Sequence, residues 1–192
     1  MSLLKKEDIS GNGFTLLEVL IGIVIITTFT LTALQALVLS TFFKVQAEQE
    51  SGATNWIQER IEEAKFIASR DLSGDSDPET ADSSLCTASN ASSGYGAALE
   101  SALASVGSTT YTINSTDFLV VDDADSAGKD IAGQNIWLLR HTNPKDEEPY
   151  NVLELQYVAV LENSNGNPST NTDDIVAELY TEVIPDEAFY CN

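Results

Sequence analysis

Basic side chains are few in this chain. Nine lysines and arginines stand against 30 aspartates and glutamates, a net charge of −21, and a surface this acidic repels phosphate backbones, which argues against nucleic-acid binding. Histidine is rarer still. His141 is the sole one, in a strand-like stretch beside Arg140 with no nucleophile motif near it, so a structural or surface role fits better than general acid–base work. The two cysteines, Cys86 and Cys191, are not in a Cys-x-x-Cys arrangement, which argues against redox catalysis. Proline is absent between Phe14 and Arg70, so no ring forces a helix to stop there. At such a charge, carboxylates pair by chance and carry no glycosidase signal. No enzymatic activity and no cofactor is expected.

What the chain does have is a run of 25 residues without a charge, Val19 to Phe43. As a helix it spans roughly 38 Å, enough to cross a bilayer core of about 30 Å. Immediately before it stands one carboxylate, Glu18, four residues after Phe14 and five after Gly13. A charge inside a span costs about 2.5 to 3.5 kcal/mol on insertion scales and usually marks function. A secretory signal peptide would not tolerate Glu18, and no good small-x-small cleavage site follows the run. A plain anchor explains the length but not the glycine, phenylalanine and glutamate at these spacings. Lys5 and Lys6 precede the span, while Lys44 is followed by Glu48 and Glu50, which suits an inside amino terminus and an exported body.

The segment Gly13-Phe14-Thr15-Leu16-Leu17-Glu18-Val19-Leu20-Ile21 resembles the class III prepilin signal of type IV pilins and of the pseudopilins of type II secretion. The resemblance is close over Gly13 to Val24 and looser over the next forty residues. It implies that prepilin peptidase cuts after Gly13, that Phe14 becomes the N-methylated mature terminus, and that Glu18, then the fifth residue, serves assembly. Residues four apart share a helix face, so the freed amine at Phe14 and Glu18 can pair within one chain or between neighbours. The leader, residues 1–13, holds two charges of each sign (Lys5, Lys6, Glu7, Asp8), leaving 7 basic against 28 acidic residues and the same net charge of −21.

Beyond Phe43 the helix continues to about Ser69. Ala53, Ile57, Ile61, Ala64 and Ala68 form an apolar stripe flanked by Trp56 and Ile67, the pattern of a half-buried helix. Gly52 interrupts it at a cost of about 1 kcal/mol. The pattern Ala53-x-x-Trp56-Ile57-x-x-x-x-Glu62-Glu63-Ala64 looks more like the minor members of the family. Residues 14–43 thus read as a membrane and filament-core half-helix and 44–69 as an amphipathic half-helix. Residues 70–109 are rich in Ser, Asp, Gly, Ala and Thr and read as a variable loop holding a short helix over Ala97 to Val106. A sheet head over 110–192 follows, with four strand-like stretches: Tyr111 to Val121, breaking near Asn114; Asn135 to His141; Val152 to Leu161; Ile175 to Ile184. The expected fold is α+β and pilin-like, a long amino-terminal helix packed on an antiparallel sheet of about four strands.

An exported chain with an even pair of cysteines argues for a Cys86–Cys191 disulfide. The stretch Asp122-Asp123-x-Asp125-x-x-Gly128 echoes a calcium loop but has Ala127 and Gln134 at ligand positions, and the Asn163 to Asp174 loop is a distant second. Both read as solvated turns, and no metal is expected.

The resemblance implies a structural subunit, a minor pilin of a type IV pilus. Its partners would be other pilin subunits, prepilin peptidase and the inner-membrane assembly platform. It would sit in the inner membrane before joining an extracellular pilus or a periplasmic pseudopilus. The alternatives are a minor pseudopilin of type II secretion and a membrane-tethered adhesin or binding module that borrows the signal for export.

Overall fold

The proline-free stretch forms one helix, α1 (Leu16–Ala68), in the computed structural model, which describes residues 15–70, 72, 81–103, 109–121 and 128–191. Gly13 and Phe14 lie outside the described residues. Two compact units divide the chain, Met1–Lys44 and Val45–Asn192. The first contributes, among its described residues, the apolar part of α1. The second holds the rest of α1, the short helices α2 (Ser83–Cys86) and α3 (Tyr95–Leu103), and every strand among the described residues. Residues 70–109 are therefore less loop than composition suggests. The short helix begins two residues earlier than expected, at Tyr95, where the Gly96 N–H donates to the Tyr150 carbonyl at 3.2 Å. A Cβ on Gly96 would sit 2.6 Å from the Val152 carbonyl oxygen, so only glycine admits that approach.

Among the described residues the sheet has six strands, more than the expected four or so: β1 (Thr110–Ile113), β2 (Thr116–Val120), β3 (Lys129–Ile131), β4 (Gln134–Pro144), β5 (Leu153–Leu161) and β6 (Ile175–Val183). All pairings are antiparallel, in the order β1-β2-β4-β5-β6, with β3 on the same edge of β4 as β2. The break near Asn114 is a two-residue hairpin turn. Asn114 and Ser115 have φ of 49° and 68°, the signature of a primed turn whose twist matches its strands. A second such turn at Ala132-Gly133, with φ of 51° and 80°, joins β3 to β4. Asp130 accepts from the Gly133 N–H at 3.0 Å and closes it.

Alternation along β4 and β5 supplies two apolar faces. Ile136, Leu138, Leu153, Leu155, Tyr157 and Ala159 meet Ala53, Trp56, Ile57, Ala64 and Ala68 of α1, with Leu99 and Leu103 of α3. Trp137, Leu139, Val158 and Val160 face the other way and cluster with Ile113, Phe118 and Val120. The loop after β5 reaches this second cluster: Tyr111 donates to Asn167 at 3.5 Å, and the Trp137 indole donates to Glu162 at 3.2 Å. The α1 stripe expected from spacing is the buried one, with Ile61 and Ile67 at its margin.

Gly52 has a steric reason to be glycine. A Cβ there would lie 2.5 Å from the Cγ2 of Ile131 in β3, and beside it Lys129 stands 5.0 Å over the Trp56 ring. Gly52→Ala should therefore destabilise the head despite a helix-propensity gain of about 1 kcal/mol, because overpacking costs about 1 to 3 kcal/mol. Adding Ile131→Ala should recover part of the loss. Urea denaturation of both variants checks this, and a stabilised Gly52→Ala chain would contradict the packing.

Candidate functional site

In the first unit the helix starts with a capping arrangement that spacing arguments had missed. Thr15 precedes α1 and accepts the Glu18 N–H through both its hydroxyl, at 3.3 Å, and its carbonyl, at 3.0 Å. Thr15-x-x-Glu18 matches the Ser/Thr-x-x-Glu capping box, and Glu18 falls in the first turn, where the helix dipole favours an anion. The signal was present in the sequence as that tetrapeptide. Glu18 is exposed, and every apolar side chain from Leu16 to Phe43 is exposed with it. The threonine hydroxyls of the segment do not require partners. Thr27, Thr28, Thr30, Thr32 and Thr41 each donate to the carbonyl four residues back at 2.7 to 3.1 Å, which satisfies them inside the helix. Among the described residues one helix is thus long and apolar enough to cross a membrane.

In the second unit the carboxyl-terminal turn, residues 186–190, is clamped to the segment before α3. Cys86, the last residue of α2, is disulfide-bonded to Cys191, with Cα atoms 5.4 Å apart. Glu187 is 1% exposed, and its Oε1 accepts the Leu72 N–H at 2.7 Å. The Tyr95 hydroxyl accepts the Asp82 N–H at 2.8 Å, and burial raises its pKa, with the charges of Glu187 and Asp82 adding to the effect. Asp82 caps α2 through its bonds to the Ser84 hydroxyl and N–H, both 2.7 Å, and these hold its carboxyl below the ordinary value. A buried carboxylate and a disulfide therefore fix one tail by independent means. The disulfide was legible from composition; Glu187 was not, because its partners lie more than 90 residues away.

His141 serves the sheet. Its Nδ1 meets the Asp117 carbonyl at 2.8 Å, and its ring tilts against Phe118. Neighbouring Arg140 is 3% exposed and donates from Nη2 to the Leu103 carbonyl at 2.7 Å, capping the end of α3. Tyr157 stands opposite Arg140 across the β4–β5 ladder. Burial raises its pKa, and the guanidinium partly opposes the shift.

Of the two calcium-like loops only the second is fully described, and among the described residues no three His, Cys, Asp or Glu side chains cluster around one point. Asp122, Asp123, Asp125 and Ala127 lie outside them. In the other loop two of the candidate oxygens are already engaged. Asn163 Oδ1 accepts the Asn165 and Asn167 N–H groups at 2.9 and 3.2 Å, and Asp174 Oδ2 accepts the Ser169 hydroxyl at 2.6 Å.

No protein-family model, curated protein or solved structure matches this chain.

Proposed function

We propose that this chain is a structural subunit of a pilin-like filament, a minor pilin of a type IV pilus. It enters the inner membrane as a prepilin, is cut between Gly13 and Phe14, is methylated on Phe14, and joins the fibre through α1. The observation that carries this reading is the apolar part of α1, exposed from Leu16 to Phe43, with a lone carboxylate in its first turn. Such a surface must be covered by lipid or by other helices. A filament core of parallel helices does the second and gives Glu18 a neighbour's ammonium to meet. The head, with its disulfide and its acidic surface, suits life outside the cytoplasm. Its role there is contact and spacing rather than chemistry.

The test is the mass of the mature protein. It should begin at Phe14, carry one methyl group on its amine, and lack residues 1–13. Assembled protein that retains the leader would sink the reading.

A further inference from the structure

The strand β6 ends the sheet: it pairs with β5 on one side, and among the described residues no strand lies on the other. Natural proteins blunt a bare edge with charged side chains, lysine above all, with proline, with a bulge or with brevity, and the charged residues along β6 are Glu178 and Glu182. At nine residues, Ile175-Val-Ala-Glu-Leu-Tyr-Thr-Glu-Val183 contains neither lysine nor proline, and the one register shift with β5 falls near its start, opposite Ala159 and Val160. The opposite edge, β1, has only four residues. An open groove of about 620 Å³ runs beside β6, walled by Asn55, Gln58, Glu59 and Glu62 of α1 and floored by Ile61 and Leu179. Leu179, Tyr180 and Thr181 all line it. Successive residues of a strand point to opposite faces, so three in a row line one groove only along the strand's edge. Unpaired backbone groups and an apolar floor therefore share one space.

The charge of that space selects the occupant. Glu59 and Glu62 line it, the one cation among the described lining residues, Lys65, is already bonded to Glu62 at 2.8 Å, and the chain around it carries a net charge of −21. A second copy carries the same net charge of −21 and is repelled.

We propose that the β6 edge and the groove beside it receive an extended, lysine- or arginine-bearing segment of another polypeptide, which adds to the sheet as an antiparallel or parallel strand. Main-chain hydrogen bonds to β6 supply affinity, alternate apolar side chains rest on Ile61 and Leu179, and basic side chains meet the glutamates. The inference concerns the head alone and stands whether or not the chain is a filament subunit.

The experiment uses the full chain in detergent micelles and a fluorescent nine-residue peptide alternating lysine with valine. Fluorescence anisotropy should show saturable binding, and hydrogen exchange should show protection of the amides of residues 175–183. Affinity should fall about tenfold or more in Glu59→Lys/Glu62→Lys, whose exposed positions leave the core untouched, and again as salt rises from about 0.05 M to about 0.5 M. A peptide with a central proline, which cannot complete the ladder, should bind at least about tenfold more weakly. Three results would overturn the proposal: equal affinity for a peptide with glutamate in place of lysine, binding that leaves residues 175–183 unprotected, or no binding. Concentration-dependent association of the chain itself that protects β6 without peptide would also overturn it, assigning the edge to a second copy.

Discussion

Filaments sheared from cells that make Glu18→Ala in place of the original chain should contain less than about a tenth of the normal amount of this subunit. Removing the carboxylate leaves a neighbour's Phe14 ammonium unpaired in apolar surroundings, a cost of several kcal/mol, and each 1.4 kcal/mol is about a factor of ten. Cleavage and membrane insertion should persist, since losing a charge makes insertion easier. Gly13→Leu should do the reverse and block cleavage itself. The capping arrangement at Thr15 makes Glu18→Gln the informative companion. Glutamine retains the capping geometry but no charge, so it should fail as alanine does if the ion pair is what matters, and should behave as the original chain if only the helix start matters. The measurement is the cleaved subunit in filaments relative to total. Undiminished incorporation of Glu18→Ala, with immunogold label along the shaft, would contradict the docking role; label confined to the tip would place the subunit where no neighbour lies above it.

Loss of the Cys86–Cys191 bond should be the largest single change to the stability of the head. The bridge joins residues 105 apart, and the chain-entropy account gives about 4.7 kcal/mol as an upper figure for a loop of that size. For a unit of this size that is a fall in Tm of about 10 °C or more. Cys86→Ser should also expose residues 70–109 to protease first, since Glu187 and its bond to Leu72 then hold the tail without covalent help. Circular dichroism melts with and without reductant, and mapping of early cleavage sites, check both effects. Full thiol labelling of the untreated protein under denaturing conditions would contradict the bond.

The helix was legible because its two signals are local: a charge-free run and a stripe at helical spacing, neither broken by proline. The bend of the sheet into six strands was only half legible. Asn114 announced a break, but a three-residue strand, Lys129–Ile131, is too short to show alternation, and Ala132 in the following turn is not a residue whose type favours positive φ. Gly52 read as a defect because its neighbour, Ile131, comes from that unseen strand. Glu187 and Arg140 looked like ordinary members of an acidic chain and a strand. Their burial follows from contacts with Leu72 and with the end of α3, which only tertiary structure brings together. The candidate assembly residue, Glu18, was readable for the opposite reason: its environment is the uncharged run itself.

The disulfide also determines how the chain carries tension. Residues 86 to 191 form a covalent ring that encloses α3 and every strand among the described residues, so a pull entering along α1 and leaving at Cys191 passes through the bridge and bypasses the sheet. At about 3.4 Å per residue, the ring withholds on the order of 350 Å of chain from extension. The covalent path outside the ring runs from α1 to Cys86, and the bond from Glu187 to Leu72 is a restraint upon it. Reduction converts this short tether into a long one, and a single-molecule pulling trace would register the difference as a gain in contour length.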